Sequence, residues 1–168
     1  MEKHKRRARI YGMGRRAAMN GITPEEADLI DAARAAMGHA HAPYSRFAVG
    51  AALRLTDGTV ITGSNFENAS YGLSLCAETV AIATASARGR LTEIAQIAVA
   101  GGPADKPGHS DPITPCGRCR QVIKEVQDMA GRPVTILCAA PAGPQVSRYV
   151  LDELLPHAFG PADLGLGG

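Results

Sequence analysis

The chain has 168 residues, 45% of them hydrophobic and 20% charged, which suits one domain with a single core. Residues 1–20 carry seven Lys or Arg against one Glu, so the formal charge of +2 hides a body of eleven bases and fifteen acids. That balance argues against a nucleic-acid-binding surface, and the lack of any run of about 18 apolar residues argues against a membrane-spanning helix.

The basic start, Lys3 to Arg16, lacks the apolar stretch that a secretory signal needs after its charged region. Interrupted by Tyr11-Gly12-Met13-Gly14, residues 1–20 read as a solvated tail, with a transit peptide or a polyanion-binding segment as alternatives. Residues 21–168 are the expected folded domain. Thr23-Pro24-Glu25-Glu26 predicts a helix start with a capping box, the helix running to about Gly38 with Ala27, Ile30, Ala33 and Met37 as its apolar face. Arg34 is expected to lay its stem on that face and keep its charge in water. His39 and His41 are read as solvated loop residues rather than ligands. Phe47 to Leu55 and Thr59 to Gly63, joined at Thr56-Asp57-Gly58, predict a β-hairpin. Asn65 and Glu67 follow it and alternate with Phe66, so at a strand period of two they face one way. An amide beside a carboxylate can bracket a pair of hydroxyls, and the plain alternative is a polar strand end.

Helices are expected from Cys76 to Arg88, packing through Val80, Ala81, Ala83 and Ala87, and from Cys116 to about Met129. Buried strands are expected at Ile94–Ala100 and Val134–Ala140 and a last strand at Val146–Val150, with residues 101–114 forming a Gly/Pro/Asp loop. Strands alternating with helices imply an α/β fold with parallel pairing and right-handed crossovers.

Three of the four cysteines lie in two short segments, Cys76-Ala77-Glu78 and Pro115-Cys116-Gly117-Arg118-Cys119-Arg120-Gln121. A Cys-x-x-Cys pair with a third, distant Cys is the pattern of one zinc ion held by thiolates, leaving the fourth position to water. Glu78, two residues past Cys76, is then a general acid/base beside a Lewis acid. Cys138 sits in an apolar run and reads as a small hydrophobe; a disulfide-exchange role for Cys116 and Cys119 would leave Glu78 without a task. Thiolates of this kind survive best in a reducing compartment, so a cytoplasmic location is expected.

These two segments resemble the signature of the cytidine deaminase family, the zinc-deaminase pattern being well known. Ala42 to Leu53, Asn65 to Leu73 and Leu154 to Pro161 extend the resemblance across most of residues 22–164. It implies a three-layer α/β fold: a mixed sheet of about five strands with helices on both faces. It also implies Zn²⁺ on Cys76, Cys116 and Cys119, and catalysis by Glu78. The substrate contacts it implies are Phe47 stacking on the base, Asn65 and Glu67 as a ribose clamp, Tyr71 near the sugar and the Ala77 amide at the base edge. Phe159 resembles an aromatic that reaches a neighbour's pocket in a homotetramer. The implied substrate is a free pyrimidine nucleoside rather than a nucleic acid polymer, because the Glu67 carboxylate repels a phosphate. The implied reaction is hydrolytic deamination of cytidine and 2′-deoxycytidine. A deaminase of modified cytosine nucleosides, of the blasticidin type, and a non-enzymatic zinc-stabilised module are the alternatives.

One position departs from the pattern. Many three-cysteine members carry an Arg directly after the catalytic Glu, and here that residue is Thr79. Three thiolates and a hydroxide on Zn²⁺ sum to −2, so compensating charge is expected from Arg118 or Arg120 and from the two helix N-termini.

Overall fold

Residues 21–106 and 111–166 are described by a computed structural model; the basic segment 1–20 and the middle of the loop before Thr114 lie outside the described residues. Helix α1 (Pro24–Met37) opens with the expected box. The Thr23 hydroxyl accepts from Glu26 N at 3.2 Å and Glu26 Oε2 accepts from Thr23 N at 3.0 Å, satisfying two end donors reciprocally. Strands β1 (Phe47–Leu55) and β2 (Val60–Ser64) form the hairpin. Its turn is closed by Thr59 N donating to Asp57 Oδ1 at 2.9 Å, with Gly58 at a φ of 86° that other residues avoid. The chain continues through α2 (Ala77–Ala87), β3 (Ile94–Pro103), α3 (Gly117–Ala130), β4 (Thr135–Ala139), β5 (Val146–Val150) and the short α4 (Leu151–Leu154).

The strands make one sheet in the order β2-β1-β3-β4-β5. Parallel pairing between neighbours is realised once, in β3 with β4. β1 is antiparallel to both β2 and β3, and β5 returns antiparallel to β4. The tight turn at Gly58 fixes β2 on one edge of β1, so the chain leaving β2 through α2 lands on the other edge. The helix-linked strands β2 and β3 run the same way but never touch.

Side-chain alternation sorts the core into two layers. Ala51, Leu53, Ile97, Val99 and Ile136 face α2 and α3, while Ala52, Ala98, Leu137 and Ala139 face α1. Three layers result, helices covering both faces of the sheet. Cys138 is buried on the α2/α3 face, where desolvation pushes its thiol up to about 12.

Three local expectations are corrected. The face that α1 buries is Leu29, Ile30, Ala33 and Ala36, with Ala27 exposed. The helix is turned by its approach to Gly50, where a Cβ would meet Met37 N at 2.6 Å and Ala33 O closer still. Arg34 does more than keep its charge in water: it donates from Nε to Ala140 O at 3.1 Å and from Nη2 to Gly143 O, gripping the turn between β4 and β5. On α2 the buried residues are Ala77, Glu78, Ala81, Ile82 and Ala85, and Ala83 and Ala87 are exposed.

Candidate metal centre and active site

Cys76 and Cys116 are the extended N-cap residues of α2 and α3, and Cys119 lies buried in the first turn of α3. Neither cap cysteine closes its helix with a side-chain hydrogen bond. The positive ends of two helices, with their uncapped first-turn N–H groups, therefore begin at two of the sulfur-bearing residues. The Sγ atoms of Cys76 and Cys116 are 3.7 Å apart, and all three Sγ atoms lie within 4.8 Å of one another. A tetrahedral zinc with arms of about 2.3 Å has edges of about 3.8 Å, so the sulfurs fit that ion. Their protonation points the same way. Hydrogen bonding to Cys119, then to Cys116, and the charge of Arg118 pull the Cys76 thiol down to about 6. Donation to Cys76, burial and the charge of Glu78 push Cys119 up. Cys76 thus favours its thiolate while Cys119 beside it holds its proton, and a divalent cation relieves that opposition. Cys138 is not part of the cluster.

Glu78 is the second residue of α2 and only 4% exposed. Burial raises its carboxyl above the ordinary range, and the charge of Cys76 adds to the effect. A carboxyl whose proton affinity is raised in a dry site can both accept and return a proton. Thr79 Oγ1 lies 3.8 Å from Cys119 Sγ, so a hydroxyl touches the ligand at the position where an Arg was missing. Arg118 donates from Nη1 to Ser74 O at 3.4 Å and is the cation felt by Cys76. Arg120, expected beside the sulfurs, directs its donors elsewhere: Nε to Pro115 O at 2.7 Å, Nη1 to Leu154 O at 2.7 Å and Nη2 to Thr114 Oγ1 at 3.0 Å.

A small ladder joins the metal centre to the polar residues after β2. Phe66 exchanges backbone bonds with Leu75, next to Cys76, at 3.0 and 2.8 Å. On its other side His41 N donates to Asn65 O at 3.0 Å and Glu67 N to His41 O at 2.8 Å. Asn65 and Glu67 are thereby held beside the start of α2. Asn65 also acts as scaffold: Oδ1 accepts from Val49 N at 2.8 Å and Nδ2 donates to Phe47 O at 2.9 Å, extending the β1 ladder and fixing half-buried Phe47. One N–H and one lone pair of that amide remain for another partner. Glu67 Oε2 accepts from Tyr44 N at 2.9 Å and Ser45 N at 3.2 Å. The Ser45 hydroxyl and these amides hold the Glu67 carboxyl below its usual range, so it is ionised at neutral pH. Tyr71 is 73% exposed, in a single 3₁₀ turn at Tyr71–Leu73, with its ring 5.6 Å from that of Tyr44. Phe159 is 58% exposed, its carbonyl accepting from Gln121 Nε2 at 2.8 Å.

Four features went unread in the sequence: the Tyr44 and Ser45 amides, the grip of Arg120, the Gln121 contact, and Gly63. A Cβ on Gly63 would lie 2.5 Å from Ala81 N and 2.6 Å from Ala77 O. This glycine sets the depth at which α2, with Cys76 and Glu78, rests on the sheet. A glycine inside a strand is itself a signal of close backbone approach.

The cytidine and deoxycytidylate deaminase zinc-binding region matches residues 24–132. A cytidine deaminase of Mycobacterium tuberculosis H37Rv is 43% identical over 136 residues, covering 80% of this chain and 88% of the relative. A cytidine deaminase of Halalkalibacterium halodurans is 40% identical over 136 residues, covering 81% and 95%. The crystal structure of cytidine deaminase from Burkholderia pseudomallei superposes with a TM-score of 0.68 at 45% identity, covering 79% of this chain and 98% of that one. With three converging sulfurs and a buried carboxyl in the matched region, the chain belongs to the cytidine and deoxycytidylate deaminase family.

Proposed function

We propose that this protein hydrolyses cytidine and 2′-deoxycytidine to uridine and 2′-deoxyuridine, releasing ammonia, and so serves pyrimidine salvage. The observation that carries the reading is the placement of Glu78, buried and raised in pKa, two residues beyond a cysteine whose sulfur is clustered with two others. Cys76, Cys116 and Cys119 would hold zinc, which when bound supplies the Lewis acidity that makes water acidic enough to deliver hydroxide near neutral pH. Glu78 takes the first proton from water and gives it to ring N3 as oxygen adds to C4. It then carries the hydroxyl proton to the departing amine, leaving C4=O and N3–H in the product. Arg118 and the two helix N-termini offset the negative charge, with the Thr79 hydroxyl supporting Cys119.

Phe47 stacks on the pyrimidine, a contact of roughly 1–3 kcal/mol, and the Ala77 amide meets the base edge. The free valences of Asn65 and the ionised Glu67 take the sugar hydroxyls, and Glu67 turns away a 5′-phosphate, which favours free nucleosides over nucleotides and polymers. Exposed Tyr71 lies near the sugar, and exposed Phe159 suits contact with another copy in a homotetramer.

The test is ultraviolet-monitored turnover of cytidine, deoxycytidine, cytidine 5′-phosphate and modified cytosine nucleosides by zinc-loaded protein. Conversion of the two simple nucleosides, with the phosphate rejected, is expected. Turnover confined to a modified nucleoside would overturn the substrate assignment, and no turnover despite bound zinc would overturn the activity.

A further inference from the structure

Consecutive residues of α3 serve two ends of the molecule. Cys116 and Cys119 belong to the sulfur cluster, whereas Arg120 and Gln121 hold the C-terminal segment. Arg120 bonds at once to Thr114 Oγ1 and Pro115 O, immediately before Cys116, and to Leu154 O at the end of α4. Gln121 holds Phe159 O at 2.8 Å. Gly160 then comes down on the side of α3, so close that a Cβ would lie 2.8 Å from Asp128 Oδ2 and 3.1 Å from Lys124 Nζ. A planar guanidinium satisfies three acceptors in fixed directions, which an ammonium on a flexible stem does not. The loop carrying Cys116 and the end of α4 are thus braced against one side chain, with Phe159 held by the next residue, Gln121.

We propose that Arg120 is a positioning residue that couples the metal centre to residues 154–160. Zinc on Cys116 and Cys119 keeps that segment docked on α3, and the docked segment holds the ligand loop in place. The coupling is reciprocal, as linkage requires. It rests on the reading of the three thiolates as a zinc site. It differs from charge compensation because the guanidinium acts through carbonyls and a hydroxyl rather than on the sulfurs.

The experiment uses the full chain, with zinc content measured first. Zinc release to a chromogenic chelator is followed beside chymotryptic cleavage after Phe159 and Leu154, Leu155 being protected by Pro156. Cleavage is scored relative to Tyr149 in β5, a partly buried residue whose strand must leave β4 to be cut. Removing zinc is expected to raise that relative cleavage about tenfold. Arg120→Ala is expected to speed zinc release by about 10–100-fold, the range for losing an outer partner of a metal ligand, and to loosen the segment even with zinc bound. Arg120→Lys keeps the charge and rescues neither readout. Gln121→Ala loosens the segment with a smaller effect on zinc. Arg90→Ala, which removes an ion cluster with Asp57 and Glu93 beyond the other end of α2, changes neither readout. Release at the wild-type rate from both Arg120 variants, rescue by Lys, or relative cleavage indifferent to zinc would each overturn the coupling. Wild-type protein that bound no zinc would overturn the metal reading and the coupling together, so the two failures are distinct.

Discussion

Among the described residues two carboxylates are buried, and the sheet lies between the helices that carry them: Glu26 on α1 and Glu78 on α2. Glu26 is surrounded by donors. It closes the capping box with Thr23 N and forms an ion pair with Arg148 on β5. Glu78 faces sulfur instead, and the Cys76 charge beside it adds to a carboxyl already raised by burial. Burying a charge with its partners makes a brace; burying one against negative charge makes a proton carrier. Structure and chemistry thus part company at two glutamates of similar exposure.

The sharpest way to break this comparison is to neutralise each in turn. Glu78→Gln should lower turnover by at least 10²–10⁴-fold, the usual range for an acid/base group, while zinc stoichiometry stays at one and the thermal midpoint does not fall. Glu26→Gln should do the reverse, costing about 1–2 kcal/mol of stability through the cap and its ion pair and leaving turnover within about twofold. Denaturant melts and steady-state kinetics on both variants decide it. A large activity loss at Glu26 would undo the division between the faces.

Two glycines set where these helices rest. Gly50 and Gly63 lie one pair apart in the β1/β2 ladder, Gly50 opposite Ser64 and Gly63 opposite Ala51, yet they open onto opposite faces. A methyl at either would strike helix backbone, which cannot swing aside as a side chain can. Both Gly50→Ala and Gly63→Ala should therefore cost about 1–3 kcal/mol. Only Gly63→Ala moves Cys76 and Glu78, and a shift near 1 Å at a reacting group costs about 10²-fold in rate. The expected result is matched melting but divergent kcat, with zinc release faster in Gly63→Ala alone. Equal kcat in the two variants would mean that the position of α2 is set elsewhere.

What the sequence made legible was whatever local chemistry decides. The Thr23 and Glu26 box, the Asp57-Gly58 turn, the cysteines at two helix starts and the apolar runs of β3 and β4 each depend on residues a few positions apart. Sheet order was not legible, because a hairpin fixes one edge of β1 while only the packing of α2 decides that β3 takes the other. Arg34 and Arg120 were misread for a related reason. Their guanidinium groups meet carbonyls of Ala140, Gly143 and Leu154, and backbone acceptors have no signature in side-chain pattern. The α1 face was missed by one notch because Gly50, not the helix's own periodicity, sets its rotation. At the site, residue identity pointed to the three sulfurs and Glu78, whereas the scaffold role of Asn65 toward Phe47 and Val49 required seeing β1 and residue 65 side by side.

A third carboxylate, exposed at the hairpin turn, gives the smallest expected effect and the opposite environment from Glu78. Thr59 N–H, then Arg90, lowers the Asp57 carboxyl to about 2. A folded-state value below the unfolded one near 3.8 means that ionised Asp57 favours the fold above pH 4 or so, and that this contribution is lost as pH falls through about 2. Asp57→Asn keeps an oxygen for Thr59 N but removes the charge facing Arg90. Its melting temperature should fall less steeply than that of the wild type between about pH 4 and pH 2, with little change at pH 7, because the pair is open to solvent. Turnover at pH 7 should be unaltered, since Asp57 and Arg90 lie beyond the end of α2 remote from Cys76. Melting curves taken through that window check the sign. A steeper acid limb in the variant would mean that Asp57 is held by contacts other than Thr59 and Arg90, and altered turnover would mean that the far end of α2 reaches the chemistry after all.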